Sequence, residues 1–140
     1  MSALIGRRIE AYEETIYSVF RVLVGLLFAQ HGAQKLFGFF GGVDGSGNTA
    51  SLFSMYGAAG VIEFFGGLLI AIGVLTRLVA FLTTGEMVAA QFIAHIPEEL
   101  IPIQNGGEPG LLYVAAFLVL IVYGNGRYSL EHQVLNRELI

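Results

Sequence analysis

Among the polar side chains inside stretches rich in Leu, Val, Phe, Ile, Ala and Gly, seven could carry chemistry: Arg21, His31, Lys35, Glu63, Glu86, Gln91 and His95. The chemistry open to them differs by type. Carboxylates and imidazoles can give or take protons once their surroundings tune them. A lysine ammonium or an amide can donate hydrogen bonds to a carbonyl oxygen. An arginine can pair with a carboxylate or run its charged end out to water. His31 and Lys35 stand one helical turn apart, as do Gln91 and His95. His31 and His95 could in principle ligate a metal or haem iron, but no HxxxH pair or compact ligand run accompanies them, so neither is expected. The chain has no cysteine, which excludes disulfides, thiol catalysis and cysteine-ligated clusters.

The elements that must position these groups follow from composition. Hydrophobic residues make up 55% of the 140 and charged residues 13%, about half the usual quarter. A mean hydropathy of +0.71 leaves too little polar surface to clothe a particle in water, so the expected solvent is lipid. Net charge −4 with only seven Lys plus Arg argues against a nucleic-acid partner. Four apolar stretches read as transmembrane helices, over 15–37, 58–75, 78–96 and 109–124. Pro109 is placed in the first turn of the fourth and Gly124 at its stop. The fold expected is all-α: an integral membrane four-helix bundle, one domain over 1–140.

Charge sorts the connections. Arg7, Arg8, Arg77, Arg127 and Arg137 fall on one side, while Lys35 stands among Asp44, Glu98, Glu99 and Glu108 on the other. The positive-inside rule then puts both termini in the cytoplasm. The first fourteen residues lack the apolar core of a cleavable signal peptide.

At about 1.5 Å per residue, His31, Glu63 and Gln91 sit about 7–9 Å below the outer ends of their helices, with Lys35 and His95 about 3 Å in. A polar chamber formed by His31, Lys35, Glu63, Gln91 and His95 in the outer half is the expectation. Arg21 either snorkels to the inner headgroups or pairs with Glu63 or Glu86, and the two carboxylates serve either ion pairing or chemistry. The stripes Arg21/Gly25/Phe28/Gly32/Lys35 and Gly60/Glu63/Gly67/Val74 should face other helices, since small residues allow close approach. On the third helix the stripe Thr84/Val88/Gln91/His95 lies nearly opposite Glu86. One polar face must therefore turn elsewhere, which favours a homo-oligomer or an associated protein.

Three long segments carry a family likeness: RVLVGLLFAQHGAQKLFGFFGG (Arg21–Gly42), VIEFFGGLLIAIGVLTR (Val61–Arg77) and NGGEPGLLYVAAFLVLIVYGNGRYSLEH (Asn105–His132). Together they resemble the DoxX family of small four-helix membrane proteins. The pattern falls on Arg21, Gly25, Gly32, Lys35, Glu63, Gly66, Gly67, Gly73 and Arg77, closing on Gly124, Gly126 and Ser129. The resemblance implies a bacterial or archaeal cytoplasmic (inner) membrane and other membrane or peripheral redox subunits as partners. Through relatives associated with a quinone-reducing complex, it also implies an isoprenoid quinone as the cofactor to consider. The functional expectation is an oxidoreductase subunit with a quinone-headgroup site. The alternatives are a non-catalytic scaffold or assembly subunit and, behind both, a small-solute or proton transporter.

Overall fold

The structure is a computed structural model that describes Gly6 and residues 8–140. Arg7, one of the arginines used above to orient the chain, lies outside the described residues. The named elements are helices α1 (Glu13–Phe37), α2 (Met55–Ile72), α3 (Thr76–Ala90), α4 (Pro102–Asn105), α5 (Glu108–Tyr123) and α6 (Leu130–Leu135), with a 3-10 turn at Phe39–Gly41. A π turn, Gln91–His95, prolongs α3. The long helices match the expected spans to within about three residues at each end.

Local signals set the boundaries. The α1 helix opens with Glu13 and Glu14 and closes with Lys35 before Gly38, charges that complement the helix dipole. The Ser54 hydroxyl accepts the Gly57 N–H at 3.1 Å and starts α2. Gly73, at φ 74°, ends it: the Gly73 and Val74 N–H groups turn back to the last carbonyls, including Leu69 O. Two residues later α3 begins, so α2 and α3 form a tight hairpin.

The contacts define an up-down-up-down bundle. Gly25 lies against Gly67 and Ala71, and Gly32 against Gly60 and Phe64, so α1 and α2 run antiparallel with backbones touching. Gly66 meets Thr83 and Val79 of α3. Next, α3 packs along α5, while α1 and α5 meet mainly through aromatic side chains such as Phe28 and Phe117, 4.9 Å between ring centres. The Glu13 end of α1 and the Tyr123 end of α5 lie together, here called the terminal end. The 38–54 and 96–107 connections lie at the opposite, loop end.

Burial is inverted relative to a soluble protein. Arg21 (1% exposed), Glu63 (4%) and Thr76 (0%) are inside, while Phe65 (56%), Phe81 (66%) and Leu118 (53%) face outward. Only a hydrocarbon solvent makes that distribution favourable over so many side chains. Among the described residues, α1, α2 and α3 with its π turn are each long and apolar enough to cross a bilayer. The α5 helix, with 16 residues, is a shorter apolar helix of about 24 Å. The chain is thus an all-helical multi-pass membrane protein.

The loop-end connection carries an acid-sensitive turn. Asp44 accepts the Ser46 N–H at 2.9 Å and the Asn48 amide at 2.6 Å. These bonds favour the charged form and hold its carboxyl below the usual carboxylate range. Because the folded value is depressed, the stabilisation is present above the ordinary value of about 4 and fades as pH falls through the folded one. Amide protection factors at residues 42–48 should therefore hold steady from pH 8 to 5 and drop only in stronger acid. In Asp44→Asn that acid step should vanish.

Candidate functional site

Polar residues gather at the two ends of the bundle. At the loop end, half-buried Lys35 from α1 reaches buried Glu63 of α2, Nζ to Oε2 2.6 Å. The helices are held close enough for this because Gly60, three residues before Glu63, lies directly against Lys35 and Leu36. Glu86 of α3 lies within Coulombic range of both Glu63 and Lys35, and its Oε2 is buried without a hydrogen-bond partner. A second carboxyl near an already complete ion pair has no cation of its own, and a negative charge on it would stay uncompensated in a medium that screens poorly. Such a centre can take up a proton or a hydrogen-bond donor.

The expected chamber therefore forms only in part. Lys35 and Glu63 meet as placed, but Gln91 and His95 turn to another neighbour. Gln91 Nε2 donates to Gly107 O at 2.8 Å, and His95 Nδ1 contacts Asn105 O at 3.0 Å. Both side chains clamp the connection into α5. His31 is exposed on the outside of α1, its ring edge-on to Tyr113 at 5.7 Å. It borders the centre through Lys35, one helical turn further along α1.

The conflict on the third helix disappears for a geometric reason. Between α2 and α5, α3 has two neighbours: Glu86 serves the α2 side and Gln91 the α5 side. Thr84 and Val88 do not share Gln91's face: Val88 is exposed and the Thr84 hydroxyl bonds Ala80 O in its own helix, 2.7 Å. The premise that favoured an oligomer is gone.

Arg21 follows neither of its expected courses. At the terminal end it donates to Ile70 O and Ala71 O, both 2.9 Å, and to Tyr128 O at 2.7 Å. It caps the negative end of the α2 dipole and ties down the chain beyond α5. Its Nε finds no partner. Arg77, read from sequence as a topology marker and part of the family pattern, does the same for α5: it donates to Ile121 O and Val122 O at 3.1 Å and pairs with Glu138 at 3.2 Å. Asn125 accepts the Thr76 N–H at 3.1 Å and donates to the buried Glu131, while Tyr17 donates to Gly124 O at 2.5 Å. Asn125, Glu131 and Tyr113 were not singled out in the sequence. The polar run GNGRYSLEH (Gly124–His132) after an apolar helix was the available signal for the first two; Tyr113 had none.

Comparison with known proteins agrees with the residue pattern. The DoxX family model matches residues 16–96, from α1 to the end of the π turn. An uncharacterized protein of Haemophilus influenzae is 34% identical over 132 residues, covering 92% of this chain and 98% of the relative. That alignment runs well past the end of the family model, into the part that includes α5. No solved structure matches the chain. With its arginine, glycine, lysine and glutamate positions assembled as described, this multi-pass membrane protein belongs to the DoxX family.

Proposed function

We propose that the chain is a subunit of an inner-membrane oxidoreductase complex and that its loop-end centre, Lys35 with Glu63 and Glu86, holds the polar head of an isoprenoid quinone. In this reading α1, α2, α3 and α5 all span the bilayer, with the terminal end in the cytoplasm. The supporting observation is the buried, unpartnered Glu86 Oε2 beside a complete Lys35–Glu63 pair. A quinone supplies two carbonyl oxygens that become hydroxyls on reduction. Lys35 can donate to one oxygen, and Glu86, when protonated, can donate to the other. Glu63 keeps Lys35 aimed. Having no cysteine, the chain supplies binding and protons, and electrons come from a partner redox subunit.

Purified protein titrated with decylubiquinone or a menaquinone analogue tests this. Saturable binding is expected, weakened at least tenfold in Glu86→Gln, which keeps shape but cannot exchange a proton. No saturable binding, or binding unchanged in both Glu86→Gln and Glu63→Gln, overturns the assignment.

The scaffold reading is favoured by a different observation: the Lys35–Glu63 pair joins α1 directly to α2 and would specify their pairing. On that reading Glu63→Gln lowers the yield of assembled protein, with no saturable quinone binding to lose.

A further inference from the structure

We infer that a lipid-soluble ligand reaches the Lys35–Glu63–Glu86 centre sideways from the bilayer, through the seam between α1 and α5, past His31 and Tyr113. This rests on the quinone reading of the centre and adds its route and a further ligand-contacting residue.

The other approaches are closed. At the loop end, Gln91 and His95 hold the connection into α5, and the Ala50 N–H, bonded to Lys35 O at 2.7 Å, draws the 38–54 connection over the end of α1. At the terminal end, Arg21 fixes the chain at Tyr128, while Arg77 and the Asn125 N–H both hold Glu138. Glycine contacts shut the faces between α1 and α2 and between α2 and α3, and α3 packs along α5.

The remaining seam is bridged by side chains: Phe28 with Tyr113 at 5.1 Å and His31 with Tyr113 at 5.7 Å. Side chains can rotate aside, whereas touching backbones cannot. Two features there are costly without a ligand. His31 is a polar ring exposed on a membrane-facing surface, and among the described residues the Tyr113 hydroxyl has no hydrogen-bond partner. Tyr113 meets His31, which stands one helical turn from Lys35, and so lies beside the centre. Its ring, stacked on Phe117 at 5.8 Å, offers an aromatic edge and a hydroxyl to a planar polar head.

The cysteine-free chain makes the route testable. In liposomes, His31→Cys with Tyr113→Cys is bridged by a short bifunctional methanethiosulfonate, and decylubiquinone association is followed before and after. A control pair, Phe20→Cys with Val119→Cys, lies on the same two helices nearer the terminal end. Bridging the first pair should slow association at least tenfold, reversibly on reduction, while bridging the control leaves it within twofold. Separately, Tyr113→Phe should weaken binding about fivefold, the net worth of one hydrogen bond. Association unchanged by the first bridge overturns the lateral route, and affinity unchanged in Tyr113→Phe overturns that residue's contact, both leaving the quinone reading standing. If the wild-type chain shows no saturable binding, reading and route fail together.

Discussion

Gly67→Val should deprive the membrane of folded protein. A Cβ at position 67 falls 2.5 Å from Ala29 N and 2.5 Å from Gly25 O, both backbone atoms of the facing helix. No rotamer relieves such a clash, so α1 and α2 must separate. The expected cost is about 3 kcal/mol or more, beyond the usual range for overpacking, and separation also strains the Lys35–Glu63 pair. Nearby glycines provide the scale. At Gly66 the added atom meets only the Thr83 and Val79 side chains, 3.2 and 3.4 Å away, which can yield. At Gly85 it meets open space, and alanine there should be neutral or stabilising by up to about 1 kcal/mol. Yield of monodisperse protein and resistance to denaturing detergent should rank Gly85→Ala, Gly66→Ala and Gly67→Val in descending order. Equal behaviour of the first and last would mean that the helices do not cross there.

Arg21→Met should cost almost as much by a different mechanism. The guanidinium is 1% exposed and satisfies Ile70 O, Ala71 O and Tyr128 O together. Removing it leaves the buried Ile70 and Ala71 carbonyls and the Tyr128 carbonyl without a charged donor and the α2 dipole without its cation, a loss of about 3–5 kcal/mol. Lysine should recover less than half, because a point charge on a flexible stem lacks the fork that reaches two directions at once. The effect should be local as well as global. With Tyr128 released, trypsin should cut after Arg127 faster than in the wild type, even in molecules that remain folded. Arg77→Met offers a comparison: its side chain is 39% exposed, so a loss nearer 1 kcal/mol is expected. Should Arg21→Met denature like the wild type with its tail protected, the capping role is wrong.

The residues themselves show why some of the site could be read beforehand. Gly25 and Gly32, like Gly60 and Gly67, recur at helical spacing, and a stripe of residues without side chains in an apolar helix has few uses besides close approach. Position along each helix put Lys35 and Glu63 in the same outer half, about 3 and about 7.5 Å in, while their direct pairing depended on the two stripes facing each other. The same depth argument misled for His31, Gln91 and His95. Depth is one coordinate of three, and the other two depend on which helices are neighbours and on local winding. The π turn at Gln91–His95, closed by the Ile96 N–H on Gln91 O, alters that winding, so extrapolation at 100° per residue cannot place His95. Arg21 takes neither a carboxylate nor the headgroups because the carbonyls ending α2 lie beside it, and such backbone acceptors are invisible in a string of side chains.

By itself the sequence determined the solvent, the apolar helices with nearly their observed limits, and the small-residue stripes that face other helices. These depend on composition and on periodicity along one chain segment, quantities local enough to survive without coordinates. Only the tertiary structure decided that α3 lies between α2 and α5, that Glu86 joins Lys35 and Glu63 while Gln91 and His95 hold a loop, and that Arg21 and Arg77 each close a helix end. Those outcomes belong to groups distant in sequence: a charge inside a bilayer takes the partner brought within reach by packing, and backbone carbonyls become that partner once a helix ends beside it.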